Sequence, residues 1–248
     1  MPKIDIKNLT VEYGGKRSIV TALDDLSLSI ESGTINVVIG YSGCGKTTLL
    51  KAIASLVPYY GDILFDGENI NTRKYSELNM SYVTQTSTLY SGMTIFDNIA
   101  LPLKIKKLPK DEIVEQVKVI AGELDISCCL TRRPKYVSGG QQQRAAIAKA
   151  LIKKPSVCLF DEPLSDIDEK QRVAVRSLVK SSLKKSGSTV VYVTHDITEA
   201  MILADNLIVM DDGKIAISGA PSSVYDSDNE IMKSLKVGVE CYVRREEL

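Results

Sequence analysis

The amino-acid sequence predicts an α/β fold with a largely parallel sheet. Two observations carry this prediction. Apolar runs of strand length alternate with runs of helical spacing, as in SVCLFDEP, then residues 168–185, then STVVYVTHD. In addition, the run TINVVIG, which ends at Gly40, is almost wholly apolar, as expected of a strand that is covered on both faces.

The part of the chain before about residue 85 adds short strand-like runs, KIDIKNLTVEY, ALDDLSLSI and GDILFDG. A helix is predicted over Lys46–Val57, because apolar residues recur there at helical spacing before Pro58. From about residue 86 to 152 the pattern is mainly helical. Within it, PKDEIVEQVKVIAGEL opens with Pro109 and two acidic residues, which suit a helix N-terminus.

The helical stretch is best interpreted as an insertion into the α/β core. We predict a single domain over 1–248, with the core and a β subdomain at about 1–85 and 153–228. The predicted helical subdomain covers about 86–152, and 229–248 form a C-terminal tail.

Composition excludes several classes of protein. The 31 basic and 31 acidic side chains cancel, so no global charge attracts nucleic acid. No apolar run approaches the roughly 18 residues of a membrane span, and the N-terminus alternates like a strand instead of resembling an export signal. The five cysteines are odd in number and form no CxxC pair, which favours reduced thiols in the cytosol over disulfides or a zinc site.

The stretch GYSGCGKTT, Gly40–Thr48, fits the phosphate-binding pattern G-x-x-x-x-G-K-[ST] between a strand and a helix. Its glycines let backbone N–H groups curl around phosphate oxygens, and the helix N-terminus adds partial positive charge. Lys46 is expected to reach the β- and γ-phosphates, and the Thr47 hydroxyl to bind Mg²⁺. The predicted nucleotide-binding residues here are Gly40, Tyr41, Ser42, Gly43, Cys44, Gly45, Lys46, Thr47 and Thr48.

Two carboxylates follow the apolar strand of SVCLFDEP. Asp161 and Glu162 stand at its C-terminal end, where open α/β sheets place their sites. We expect Asp161 to hold the water shell of the metal and Glu162 to polarise the attacking water as general base.

A second glycine pair occurs in SGGQQQR, Ser138–Arg144, before another helical run. With these three motifs, the sequence resembles the nucleotide-binding subunits of ABC transporters over about Ile4–Ser227. The resemblance implies a P-loop NTPase (RecA-like) core with an antiparallel β subdomain and an inserted α-helical subdomain. The remaining family elements match Tyr13, Gln85 in YVTQ, Ser165 and Asp168 in LSDID, and His195 in VTHD.

The resemblance also implies a role for each element. Two subunits dimerise head to tail, so that Ser138, Gly139, Gly140 and Gln141 bind the ATP held by the partner. His195 would hydrogen-bond the γ-phosphate, and Gln85 would bind Mg²⁺ and sense the membrane partner. Tyr13 would stack on adenine. Ser165 and Asp168 would form the contact known as the D-loop, in which Asp166 stands where the family commonly has a small residue. The Cys44 thiol would lie close to ATP, so that alkylation would inhibit.

Three functions stay open at this stage. The first is an ABC importer, because two segments resemble the ATPases of carbohydrate-type importers: GMTIFDNIALPLKIKKLPKDEI and the region after His195. The resemblance implies permease subunits and a solute-binding protein as partners, and a place at the cytoplasmic face of the membrane. That subfamily usually adds a C-terminal regulatory domain, and only the tail 229–248 follows here, which weakens the sugar assignment. The alternatives are an exporter or lipid-extraction ATPase, and a soluble ABC ATPase that is not linked to transport.

Overall fold

The computed structural model describes residues 1–15, 18–74, 77–85, 89–165, 167 and 169–236, without the side chains of 169–171. These residues form two compact units. The first consists of Met1–Leu78 together with the described residues from Thr189 onward, and the second is Asn79–Ser188. The predicted site residue Asp168 lies outside the described residues.

The first unit contains eight strands and three short helices among its numbered elements. They are β1 (Ile4–Gly15), β2 (Ser18–Ile30), β3 (Ile35–Gly40), α1 (Lys46–Ile53), β4 (Tyr60–Phe65), β5 (Glu68–Asn69), β8 (Thr189–Val193), α6 (Ile197–Leu203), β9 (Asn206–Asp211), β10 (Lys214–Gly219) and α7 (Pro221–Tyr225). Residues 230–236 are also helical. The second unit contains β6 (Met80–Val83), α2 (Ile95–Ile105), α3 (Lys110–Glu123), α4 (Gly139–Leu151), β7 (Val157–Asp161) and α5 (Glu169–Ser186).

An antiparallel sheet in the first unit has the strand order β2-β1-β4-β5. Ile4 at the start of β1 lies opposite Ile30 on one side and Phe65 on the other, and all three side chains are buried. Charged and polar residues alternate with buried residues along β1, so one face of this sheet packs against the core. This sheet confirms the antiparallel β subdomain.

A mixed sheet surrounds β3 in the same unit, in the order β10-β9-β3-β8. Strands β9 and β8 flank β3 in parallel, and β10 pairs antiparallel with β9. Val38 of β3 lies opposite Val193 of β8 and Ile208 of β9, and every residue of β3 and β8 is buried. The expectation that TINVVIG forms a strand covered on both faces is confirmed. Because β3 and β8 are parallel neighbours, the residues that follow Gly40 and Val193 leave the sheet at the same edge.

The second unit combines a parallel strand pair with helices. Met80 of β6 lies opposite Val157 of β7, and Val83 lies opposite Phe160. Helix α4 packs against β6 and against α2 and α5, and the Ser81 hydroxyl donates a hydrogen bond to the Ala150 carbonyl at 2.8 Å. No helix in the described part of the chain is long and apolar enough to cross a membrane.

Helix boundaries depart from the sequence predictions in two places. Helix α1 ends at Ile53 instead of continuing to Val57, because Ser55 has a left-handed backbone (φ +53°) and the N–H of Leu56 bonds to the carbonyl of Lys51 at 2.8 Å. This is the Schellman pattern of helix ends. Helix α3 begins at Lys110, and Pro109 precedes it as the N-cap with extended ψ.

The described cysteines differ sharply in burial. Cys44, Cys129 and Cys158 are buried, whereas Cys128 is exposed. Burial raises the pKa of Cys158 to about 12. Burial also raises the pKa of Cys44, although the nearby Lys46 ammonium lowers it in part. Since the thiolate is the reactive form, we expect Cys44 to react slowly with alkylating agents, and inhibition by its alkylation stays a prediction.

Iodoacetamide at about pH 8 should therefore label Cys128 well before the three buried cysteines, and unfolding in urea should remove the difference. Mass mapping of peptides follows each cysteine separately, including Cys241, which lies outside the described residues. Labelling of Cys158 at the rate of Cys128 in the folded protein would contradict the burial described here.

Candidate functional site

The phosphate loop, Gly40–Gly45, joins the buried strand β3 to helix α1. The predicted strand–loop–helix context of GYSGCGKTT is therefore present. The Cys44 N–H bonds to the Tyr41 carbonyl at 3.3 Å, which closes the loop on itself. Ser42 and Gly43 are exposed at its tip, and Thr47 is exposed in the first turn of α1.

Two glycines allow the loop to pass close to neighbouring backbone. A Cβ atom at Gly40 would lie 2.3 Å from the Met210 carbonyl oxygen, and one at Gly45 would lie 2.5 Å from the Ala22 carbonyl oxygen. Gly45 also has φ +102°, a conformation that side chains disfavour. By contrast, a Cβ atom at Gly43 would meet no atom within 4 Å, so the loop is tightly held on one side and open on the other.

Lys46 places a positive charge at the centre of this loop. Its side chain is buried at 6% exposure, and its ammonium donates to the carbonyls of Gly40 and Tyr41 at 2.8 Å each. No side chain caps the N-terminus of α1, and its first turn, which is fully described, holds no acidic residue. A buried cation beside an uncapped helix N-terminus is suited to an anion, because both favour negative charge.

Tyrosines flank the loop on two sides. Tyr13 of β1 is 39% exposed, and its hydroxyl lies 3.5 Å from the Thr48 hydroxyl oxygen, a distance at the weak limit of hydrogen bonding. The structure thus brings the predicted adenine-stacking residue beside the first turn of α1. On the other side, the Tyr41 hydroxyl donates a hydrogen bond to Ser234, in the helical segment 230–236.

His195 lies two residues beyond the end of β8, at the sheet edge where the phosphate loop begins. The preceding Thr194 is buried, and its N–H bonds to the Val38 carbonyl of β3 at 3.2 Å, whereas His195 itself is exposed. The next residue, Asp196, is the N-cap of α6 and accepts a bond from the Glu199 N–H at 2.9 Å.

In the second unit, Asp161 ends β7 and Glu162 begins the turn that follows. Asp161 is 6% exposed and accepts a hydrogen bond from the Tyr82 hydroxyl at 3.2 Å. Glu162 has φ +46°, a left-handed conformation that costs about 1–2 kcal/mol for a residue with a side chain. The Ser165 hydroxyl donates a hydrogen bond to the Glu162 carbonyl at 3.0 Å, which closes the turn and restrains the backbone from which the Glu162 side chain projects.

Ser138 begins helix α4 with a complete capping box. Its hydroxyl oxygen accepts a bond from the Gln141 N–H at 3.3 Å, and the Gln141 side-chain oxygen accepts one from the Ser138 N–H at 3.1 Å. Ser138 and Gly139 are exposed, whereas Gly140 is buried. Among the described residues, no acceptor meets the proton of the Ser138 hydroxyl, so this group can still donate to a ligand.

The structure describes the surroundings of Gln85 only on its N-terminal side. Gln85 is exposed, two residues beyond the end of β6, and residues 86–88 are outside the description. No group of three or more histidine, cysteine, aspartate or glutamate side chains able to hold a metal occurs in the described ranges. Asp161 is a ligand of the kind that Mg²⁺ takes, since this ion commonly binds one or two carboxylates together with substrate phosphates and water.

The structure adds two residues that our sequence reasoning missed. Tyr82 reaches Asp161 from the adjacent strand, a contact that no local motif announces. Glu199 is 4% exposed and accepts hydrogen bonds from the hydroxyls of Tyr192 and Thr194. The spacing of Asp196 and Glu199 after His195 is typical of a capping box, and this signal would have marked Glu199 as structurally important.

The loop geometry separates two glycine substitutions. Replacing Gly43 with alanine should lower the free energy of unfolding by about 1–2 kcal/mol, because only the left-handed backbone opposes it. Gly45→Ala should cost clearly more, because the added methyl group also meets the Ala22 carbonyl. Urea unfolding measures the free energy of unfolding of both variants. An equal loss of stability in the two would contradict the close approach of Gly45 to the Ala22 carbonyl.

A family model described as ABC transporter matches residues 23–165. The chain is 40% identical over 239 residues to an uncharacterized ABC transporter ATP-binding protein of Sinorhizobium fredii, covering 96% of this chain and 63% of that protein. It is also 40% identical over 226 residues to the sn-glycerol-3-phosphate import ATP-binding protein UgpC of Cupriavidus pinatubonensis, covering 91% of this chain and 60% of that protein. The chain thus spans less than two thirds of the length of these relatives.

Solved structures give the same result for the fold. A dimeric bacterial ABC transporter cassette has a TM-score of 0.79 and 30% sequence identity, over 88% of this chain and 98% of that chain. The same cassette in a post-hydrolysis state bound to ADP and Pi matches with the same TM-score and identity. The predicted P-loop NTPase fold is therefore confirmed, and the chain belongs to the ABC transporter family.

Proposed function

We propose that the protein is the ATP-binding and ATP-hydrolysing subunit of an ABC importer. The observation that carries this proposal is the phosphate loop, with buried Lys46 at the uncapped N-terminus of α1. Support comes from the sn-glycerol-3-phosphate import proteins among the relatives and from the cassette structure that binds ADP and Pi. The predicted division into a core, a β subdomain and a helical subdomain is part of the same proposal.

ATP binds with its phosphates in the loop and its base toward Tyr13. Backbone N–H groups of the loop and of the first turn of α1 face the phosphates, and Lys46 exchanges loop carbonyls for β- and γ-phosphate oxygens. Because these carbonyls lie at 2.8 Å, the ammonium is already held where a phosphate can reach it. Little reorganisation of Lys46 is then needed on binding.

Mg²⁺ neutralises charge on the β- and γ-phosphates when it is bound. The residues that would hold it are Thr47, Gln85 and, through water, Asp161. The Tyr82 hydroxyl donates a hydrogen bond to one oxygen of the Asp161 carboxylate and so helps to hold this carboxylate in place.

Hydrolysis is assigned to Glu162 and His195. Glu162 accepts a proton from the attacking water as it approaches the γ-phosphate, and the closed turn at Ser165 restrains the backbone of Glu162. His195 hydrogen-bonds the γ-phosphate and steadies the water. Ser165 and Asp168 contribute the D-loop contact.

A second copy completes each ATP site. Ser138, Gly139, Gly140 and Gln141 of one copy bind the γ-phosphate of the ATP held by the other. Exposure of Ser138 and Gly139, together with the hydroxyl proton of Ser138, supports this role, and the N-terminus of α4 adds favourable potential for an anion. The dimeric solved cassette supports the assembly of two copies.

The partners follow from this function. We infer a homodimer at the cytoplasmic face of the membrane, joined to permease subunits and served by a solute-binding protein. The names of the relatives favour a carbohydrate-type importer that takes a sugar-like or glycerol-phosphate solute. The balance of 31 basic and 31 acidic residues gives no support to nucleic acid as a partner.

Glu162→Gln tests the proposed mechanism. This variant should bind ATP but lose hydrolysis by about 100-fold or more, because the amide cannot accept the proton. ATP that persists in both sites should hold two copies together, which size-exclusion chromatography with light scattering detects at high protein concentration. Glu112→Gln on the exposed face of α3 is the matched control and should keep the activity of the wild type.

The double variant Glu162→Gln, Ser138→Ala should be monomeric, although each monomer should still bind ATP. A double variant that stays dimeric would contradict the proposed role of Ser138. Wild-type protein without ATP hydrolysis, in the presence of its permease subunits, would overturn the proposed function itself.

A further inference from the structure

A buried carboxylate lies behind the segment that carries His195. Glu199 is 4% exposed, and each of its carboxylate oxygens accepts a hydrogen bond from a different hydroxyl. One hydroxyl belongs to Tyr192, which is fully buried in β8, and the other to Thr194, at 2.8 Å. A carboxylate taken out of water needs such partners, so its place here is specified by the two hydroxyl groups.

The start of α6 departs from the usual capping box in an informative way. Asp196 caps the helix by accepting from the Glu199 N–H at 2.9 Å. In a capping box the Glu199 side chain would return to the N–H of Asp196. Instead, the N–H of Asp196 bonds to the Thr194 hydroxyl oxygen at 3.1 Å, and Glu199 turns inward to the same hydroxyl.

The hydroxyl of Thr194, the residue before His195, therefore forms hydrogen bonds with two residues that follow His195. It donates to Glu199 on one side and accepts from Asp196 on the other, while the Thr194 N–H bonds to the Val38 carbonyl of β3 at 3.2 Å. The residues immediately before and after His195 are both fixed, one to the sheet and the other to Thr194. The backbone of His195 is held between them, and its side chain leaves the sheet edge in a set direction.

We propose that Thr194 and Glu199 are positioning residues, which hold His195 in the orientation needed to contact the γ-phosphate. This inference rests on the proposed function, in which His195 acts on bound ATP. It goes further by naming the groups that orient the histidine. Both side chains are buried, so in this proposal they act through His195 and not on ATP directly.

A purely structural role for these contacts is the competing explanation, and β8 offers a matched control. Thr189, at the other end of the same strand, is also fully buried. Its hydroxyl donates to the Pro2 carbonyl at 2.7 Å and accepts from the Gly33 N–H at 3.0 Å. Thr189→Val and Thr194→Val therefore each remove a buried hydroxyl that makes two hydrogen bonds, and both should lower the melting temperature.

His195 is the only histidine in the sequence, so NMR observes it without overlap once any affinity tag is removed. Thr194→Val should shift or broaden the imidazole signals, and Glu199→Gln should do the same, because an amide offers one acceptor where the carboxylate offers two. Thr189→Val should leave the signals unchanged. Thr194→Ser keeps the hydroxyl and should restore them, which also covers the case in which Thr194→Val does not fold.

ATP hydrolysis provides the second readout. Thr194→Val should lower kcat by about 10-fold with little change in the KM for ATP, as expected when a supporting contact of a catalytic group is lost. Thr189→Val should keep the wild-type kcat despite its lower melting temperature. Imidazole signals that move equally in both valine variants, or in neither, would overturn the inference. A wild type without ATPase activity would overturn the proposed function but would leave the NMR comparison valid.

Discussion

The arrangement of Lys46 is the constraint on which the rest of the nucleotide site depends. A buried ammonium must be hydrogen-bonded, and here the carbonyls of Gly40 and Tyr41 do this without any carboxylate partner in the described part of the chain. For those carbonyls to reach it, the loop must pass against the backbone of β2 and β9, which only glycine permits at positions 40 and 45. Glycine at positions 40 and 45 therefore allows the loop carbonyls to bind the Lys46 ammonium while its positive charge is kept.

The two residues that we propose for hydrolysis, Glu162 and His195, share a further property. Hydrogen bonds of neighbouring residues restrain the backbone conformation of each. Glu162 is kept in a left-handed conformation by the turn at Ser165, and His195 is kept between a strand and a capped helix. In both cases the side chain proposed to take part in hydrolysis is exposed or half-buried, while its neighbours are fixed by hydrogen bonds. Fixed backbone and an accessible side chain together give orientation without closing the site to substrate.

Local patterns predicted much of the fold and the site, and tertiary contacts account for what they missed. The strand before Gly40 and the helix after Lys46 follow from hydrophobic periodicity and from the phosphate motif. The end of α1 does not, because Ser55 carries no sequence signal for a left-handed backbone. Tyr82 and Glu199 were also missed, since one contact crosses two strands and the other requires knowing that Glu199 turns inward.

The hydrogen bond between Tyr41 and Ser234 joins the phosphate loop to the helical segment 230–236. Thermodynamic linkage makes the coupling between the two reciprocal. If a ligand in the loop stabilises the docking of that segment, docking of the segment stabilises ligand binding by the same free energy. A triphosphate bound in the loop as proposed would therefore tighten the docking of segment 230–236 by way of the Tyr41 phenol, and a docked segment would tighten nucleotide binding in return.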